Sequence, residues 1–224
     1  MAEEQKKIRL IYGTGNQAKI QFMKRALAGL SIEITTLSEA AEELGIILPK
    51  VQETGKSPLE NAKVKARAYY EVFKKPVFSC DSGLYLWNCL TGEALPENEQ
   101  PGIHVRERGG RRLTDDEMLL HYIGLVKKYG SVLARYENGI CLAAKSKNGI
   151  ESIEESVWGE AFLLTDTPHK KRVPGFPLDS ISLEIKSGKY YYDLEGNSQD
   201  DVAAQAGFRQ FFKKITENVA LRGK

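Results

Sequence analysis

Chemistry is first legible in the stretch IYGTGNQAKI, residues 11 to 20. A short apolar segment runs into Gly13-Thr14-Gly15-Asn16 and then into Ile20, Met23 and Leu27 at helical spacing. A strand that turns this way into a helix aims backbone N–H groups and the positive end of the helix dipole at one point. The natural occupant of that point is an anion, usually phosphate. Lys19, within the first turn, adds a full positive charge. The same residues fit G-x-G-x-x-A, a dinucleotide fingerprint, which also needs an acidic residue at the end of the second strand to hold a ribose. Glu33 falls too early for that and Glu39 too late. The phosphate loop G-x-x-x-x-G-K-[ST] is absent. A tight strand-to-helix turn without a ligand suits the glycines equally well, and both readings stay open at this point.

Two further stretches carry groups able to act on such an anion. ETGKSPLENAKVKARAYYEVFKK contains the clearest helix, with Ser57 at the N-cap, Pro58 at the first helical position and Glu60 at the third, a complete S-x-x-E capping box. Its apolar stripe is Leu59, Ala62, Ala66, Tyr69 and Phe73. Asn61 and Lys65 lie four apart on another face, so Lys65 is either a phosphate ligand or a snorkelling surface lysine. KPVFSCDSGLYL reads as a strand, a sharp turn at Asp81-Ser82-Gly83, and more extended chain. A turn-forming aspartate that caps its own loop is the plain alternative for Asp81.

These groups need elements to position them. KIRLIYG and IEITTL read as strands on either side of the helix QAKIQFMKRALAGL, which Gly29 ends. TGEALPENEQPGIHVRERGGRR is a loop, and its segment from Arg108 to Arg112 is a phosphate-facing or a solvated basic turn. TDDEMLLHYIGLVKKYG is a helix capped by Thr114 and Glu117. ARYENGICLAAKSKNGIESIEESVWGEAFLL reads as strands turning at Asn148-Gly149. RVPGFPLDSI is a loop into extended chain, Tyr190, Tyr191 and Tyr192 fit a strand, and DDVAAQAGFRQFFKKITENVAL closes as a helix. The order βαβαβ, a hairpin lobe, then β and α is mixed α/β.

Bulk properties set limits. The 224 residues, 42% apolar and 28% charged, suit an ordered soluble domain. With 32 basic against 30 acidic residues there is no long-range field for wrapping duplex nucleic acid. No apolar run approaches the roughly 18 residues of a membrane helix. The charged start MAEEQKK is unlike a signal peptide, and three unpaired-looking cysteines suit a reducing cytoplasm. His104 and His121 have no ligand partner at metal spacing.

Taken in order, five stretches resemble one family, the inosine triphosphate pyrophosphatases (non-canonical purine nucleoside triphosphate pyrophosphatases). TGNQAK resembles the family's Thr-Gly-Asn-x-x-Lys opening, and ETGKSPLENAKVKA its E-x-G-x-[ST]-x-x-E-N-A-x-x-K-A segment. CDSGL is similar to Asp-Asp-Ser-Gly-Leu, PGI to Pro-Gly-[Ile/Val], and PGFPLD to Gly-Phe-Gly-Tyr-Asp. Departures sit at Cys80, where the family has its first aspartate, at Val105-Arg106-Glu107 in place of Ser-Ala-Arg, at Pro177-Leu178, and at Gly207-Phe208-Arg209 in place of Ser-His-Arg.

The resemblance implies an elongated α/β fold, a mixed sheet with flanking helices and two lobes around a central cleft, the second lobe falling near residues 112–172. It implies magnesium-dependent hydrolysis of ITP, dITP or XTP to the monophosphate and pyrophosphate, by water attack at the α-phosphorus. Glu53 and Asp81 are the implied metal carboxylates, and Asp81 and Lys65 the catalytic pair. Thr14, Gly15, Asn16, Lys19, Asn61, Ser82 and Gly83 would hold the phosphates, and Phe176, Asp179 and Arg209 the base. A nucleoside triphosphate is the implied partner, with no nucleic acid or membrane, and a homodimer by family habit. A nucleotide-binding sensor with weakened catalysis, or a pyrophosphatase for another triphosphate, is the alternative that the departures raise.

Overall fold

The computed structural model describes residues 7–147, 149–194 and 202–217. Its main sheet has seven strands in the order β2-β1-β3-β6-β8-β9, with β7 on β6. These are β1 (Ile8–Tyr12), β2 (Ile32–Thr36), β3 (Val77–Asn88), β6 (Val132–Ser146), β7 (Gly149–Trp158), β8 (Phe162–Leu164) and β9 (Ser182–Glu184). A separate ribbon pairs β4 (Glu107–Arg108) with β5 (Arg111–Arg112). The helices are α1 (Gln17–Ala26), α2 (Leu37–Leu44), α3 (Pro58–Phe73), α4 (Asp115–Tyr129) and α5 (Val202–Glu217). Among the described residues no helix is long and apolar enough to cross a membrane. Parallel and antiparallel pairs in one sheet flanked by helices make the fold mixed α/β, as the order of elements predicts.

The chain forms two compact units, and the long strands β3 and β6 supply residues to both. The first comprises Met1–Ser82, Asn138–Val157 and Ala203–Lys224. Here β1 lies between β2 and β3, parallel to each. Side chains alternate along a strand, so β1 feeds two cores. Leu10 and Tyr12 join Ile20 and Met23 of α1 and Phe208, Phe211 and Phe212 of α5. Ile11 joins Leu37 and Ala40 of α2 and Ala62, Ala66 and Phe73 of α3. The Tyr12 ring stacks on Phe78 at 4.4 Å.

The second unit comprises Gly83–Glu137 and Trp158–Val202. Its core gathers Leu84 and Leu86 of β3, Met118, Tyr122 and Val126 of α4, Phe162 of β8, and Leu178 and Ile181. Gln100 completes it, because its carboxamide accepts from Leu86 N–H and donates to the carbonyls of Leu86 and Leu95.

Three local expectations change, and one helix is added. SEAAEE lies in α2, whose capping box runs from Thr36 to Glu39. The sharp turn at Asp81-Ser82-Gly83 is absent: β3 runs unbroken for 12 residues, because its neighbours supply ladder partners past the point where the sequence shows turn residues. The Ser57 cap forms, yet Glu60 returns its bond to Lys56 N–H rather than to Ser57, so the box is offset by one residue. Tyr191 and Tyr192 lie in a 3-10 turn rather than a strand, with Tyr190 making a single bridge to Leu183. β7 pairs with β6, and the turn expected at Asn148-Gly149 includes Asn148, which lies outside the described residues.

Candidate active site

The chemistry-bearing residues of the first unit converge where β1 ends, β3 continues and α3 passes overhead. Gly13 permits this. A Cβ there would fall 2.0 Å from Ser79 Oγ and 3.3 Å from the Phe78 carbonyl, so only glycine lets the chain turn this close to β3. Beyond it, Thr14 Oγ1 accepts from Asn16 N–H at 3.2 Å. Asn16 caps α1, its Oδ1 accepting from Ala18 N–H at 2.9 Å and Lys19 N–H at 3.2 Å. Two first-turn N–H groups are thus satisfied by the cap, and the charge offered to an anion comes from the helix dipole and Lys19. Gly15 leaves the space beside it clear, since a Cβ there would meet nothing within 4 Å.

Strand alternation sorts the next three residues of β3. Cys80 enters the core with Tyr12, Ile20 and Phe212, while Asp81 turns to the α3 side and meets Lys65. The Lys65 ammonium lies 3.2 Å from Asp81 Oδ1 and 3.2 Å from Glu53 Oε2. Lys65 and Asp81 are largely buried, at 13% and 15% side-chain exposure, whereas Glu53 is open at 46%. Lys19 Nζ stands 3.9 Å from Asp81 Oδ1 and 3.4 Å from Ser82 Oγ. Ser82 in turn donates to Asn138 Oδ1 at 2.8 Å. Two ammonium groups, two carboxylates and a hydroxyl thus form one contiguous polar cluster.

Desolvation of the Lys19 ammonium lowers its pKa, the Asp81 carboxylate opposing this and the Lys65 charge reinforcing it. The Lys19 side chain as a whole is 33% exposed. Burial pushes the Cys80 thiol up to about 12, so it stays protonated and cannot stand in for a carboxylate. Tyr12, hydrogen-bonded to Cys80, is likewise held well above its ordinary value by burial.

Other expected residues sit elsewhere. Asn61 is 2% exposed and its Oδ1 accepts from Gly55 N–H at 2.8 Å. It therefore ties the loop that carries Glu53 to α3. Arg209 caps the far end of α1, donating to the carbonyls of Ala26 and Ala28 at 3.2 and 2.7 Å. A base-binding role for Arg209 has no support from that geometry, because α1 separates its two ends by about 15 Å. Gly83, buried in β3, is the first residue of the second unit.

Phe176 and Asp179 belong to the second unit. Phe176 is 44% exposed and precedes the 3-10 turn Pro177–Ile181, which carries Asp179. Desolvation lifts the Asp179 carboxyl to about 6, and it lies within electrostatic reach of the Tyr136 and Tyr192 hydroxyls. Arg106 pairs with Asp115 and donates to the Gly175 carbonyl, while Asp115 accepts from Gly175 N–H at 2.7 Å. The basic turn around it is spent on structure: Arg108 donates to His121 and to the carbonyls of Asn98 and Glu99, and Arg111 forks onto Glu117.

Among the described residues no group of three His, Cys, Asp or Glu side chains converges as a metal cage. Sequence reasoning misses Asn138. Its only local signal is an Asn-Gly pair that reads as a turn but lies within β6.

Residues 10–183 match the model of the Ham1 family. The dITP/XTP pyrophosphatase of Streptococcus pyogenes serotype M6 is 24% identical over 211 residues, 93% of this chain and 58% of the relative. The chain therefore spans 58% of the length of such streptococcal relatives. The dITP/XTP pyrophosphatase of Aquifex aeolicus is 40% identical over 77 residues, 34% of each chain. Among solved structures, a HAM1 protein from Coxiella burnetii aligns with a TM-score of 0.69 at 20% identity, covering 94% of this chain and 99% of that one. The Staphylococcus aureus Ham1 protein aligns at 0.63 and 22%, covering 93% and 98%. At these identities the likeness is one of fold.

Proposed function

The chain belongs to the Ham1 family, and on that premise we propose that it hydrolyses non-canonical purine nucleoside triphosphates, ITP, dITP and XTP, to the monophosphate and pyrophosphate. The observation that carries the reading is the Lys65 ammonium shared by Glu53 and Asp81, with Lys19 beside it. Opposite charges packed at this density suit a polyphosphate that arrives with its own counter-cation. The names of the streptococcal and Aquifex relatives point to the same substrates.

In this reading Lys19 and Lys65 bind non-bridging phosphate oxygens and stabilise the charge that develops on the leaving pyrophosphate. Asp81 orients the water in line with the α-phosphorus and takes its proton onto a carboxylate oxygen. Glu53 and Asp81 fit magnesium: they are hard oxygen donors converging on one cationic centre, and this ion binds through one or two carboxylates plus substrate phosphates. Bound there, it would neutralise polyphosphate charge. Phe176 stacks on the base and Asp179 accepts a hydrogen bond from it. Cytoplasmic location and assembly as a homodimer belong to the same reading.

Incubation with magnesium and a panel of ITP, dITP, XTP, ATP, GTP, CTP and UTP tests it, read as pyrophosphate released per substrate. ITP, dITP and XTP lead the panel if the proposal holds. Orthophosphate as the product, or ATP as the best substrate, would overturn it. Cys80 favours a second reading, a nucleotide-binding sensor, because its buried neutral thiol stands where the family resemblance places a carboxylate. A rise in melting temperature with ITP and magnesium but no pyrophosphate formed would select that reading.

A further inference from the structure

Two adjacent residues of β6, Asn138 and Gly139, touch the supports of both lysines from opposite faces of one strand. On one face, Asn138 Oδ1 accepts the Ser82 hydroxyl proton at 2.8 Å. That bond fixes the hydroxyl rotor, so the Ser82 oxygen presents a lone pair to Lys19 Nζ at 3.4 Å. On the other face, the backbone of Gly139 presses on the start of α3. A Cβ at this position would fall 2.2 Å from Leu59 N and 2.4 Å from the Pro58 carbonyl carbon, both backbone atoms that cannot rotate aside. α3 carries Lys65 two turns further on, and Asn61, which ties down the loop bearing Glu53. Both residues belong to the first unit, with everything they support.

We propose that Asn138 and Gly139 are positioning residues for the two cationic arms of the site, Asn138 acting through Ser82 on Lys19 and Gly139 acting through the first turn of α3 on Lys65. The inference rests on the reading that the two lysines hold a polyphosphate. Neither residue touches the ligand. What they supply is preorganisation, the ammonium groups being held where phosphate oxygens arrive.

The test uses the full chain and inorganic tripolyphosphate, which has neither base nor sugar, with binding measured by calorimetry. Asn138→Ala weakens binding about tenfold, the equivalent of one hydrogen bond to a charged group. Lys19→Ala weakens it further, and the double variant Asn138→Ala/Lys19→Ala binds no worse than Lys19→Ala alone, because Asn138 acts only through that lysine. Gly139→Ala shows the same non-additivity with Lys65→Ala. If its backbone clash leaves the chain unfolded by circular dichroism, the Asn138 cycle decides the matter.

Additive losses in the Asn138 cycle, or binding by Asn138→Ala equal to wild type, would overturn the proposal. Wild-type protein that fails to bind tripolyphosphate would overturn the reading of the lysines and this inference with it. Wild-type binding with non-additive variants supports the inference even if no triphosphate in the panel yields pyrophosphate, an outcome that defeats only the hydrolytic reading.

Discussion

Lys65 is held by two carboxylates in a largely desolvated spot, and this decides what its removal does. Lys65→Ala leaves Glu53 and Asp81 facing each other without the charge that reconciles them, and takes a donor from the developing pyrophosphate. The expected outcome is a fall in kcat of at least about 10²-fold, with Asp81→Asn at least as severe, and far-ultraviolet circular dichroism unchanged in both. Near wild-type turnover in either variant would remove that residue from the site. Asp179 gives a pH signature. Its carboxyl is lifted to about 6 by desolvation, so it loses its acceptor charge as pH falls through that value. KM for ITP should rise on that descent, and Asp179→Asn should flatten the dependence. The linkage has the opposite sign for stability: a carboxyl that resists ionisation in the fold costs stability once pH exceeds its unfolded value. Asp179→Asn should therefore raise the melting temperature more at pH 8 than at pH 4. Cys80 is 4% exposed in an apolar cluster, so Cys80→Asp, which restores the carboxylate of the family pattern, should lower stability by at least about 2 kcal/mol in urea unfolding.

At the scale of elements, the site is an arrangement of strand alternation and helix starts. β3 sends Cys80 to one core and Asp81 to the α3 side. A shift of one residue would exchange them, placing the thiol beside Lys65 and a carboxylate in the core. The start of α3 matters as much, since Ser57 Oγ accepts from Glu60 N–H at 3.2 Å and the helix must begin there for Lys65 to reach Asp81. Ser57→Ala should cost about 1 kcal/mol of stability in urea unfolding and raise KM for ITP more than it lowers kcat. An unchanged denaturation midpoint would show that Pro58 and the packing of Ala62 and Ala66 hold the helix start without the cap. The offset bond from Glu60 to Lys56 N–H draws the preceding loop toward the helix, the same loop that Asn61 ties through Gly55.

For the whole molecule, charge is nearly balanced, with a net value of +2. Arg106 is held by Asp115, Arg108 by His121 and Arg111 by Glu117, so these three are engaged within the fold. Duplex DNA should show no retardation with this protein at physiological salt, and a shift at micromolar protein would contradict the charge argument. Each compact unit carries its own core.

The amino-acid sequence alone determined the helices capped by Ser57 and Thr114, the strands around them and the candidates for the polyphosphate cluster, because caps, periodicity and motifs act over a few neighbouring positions. Ser57 and Thr114 both cap where local pattern places them, whereas the Asn16 cap appears only in the structure. Partners far apart in the chain were decided only by tertiary packing. Lys19 meets Ser82 across 63 positions, Ser82 meets Asn138 across 56, and Arg209 reaches Ala28 across 181. No local preference records such distances. The turn residues of Asp81-Ser82-Gly83 were overruled by the long strand β3 in the main sheet, and Asn61 was drawn inward because Gly55 needed an acceptor. Sequence thus supplied the candidate groups, and packing chose which of them meet.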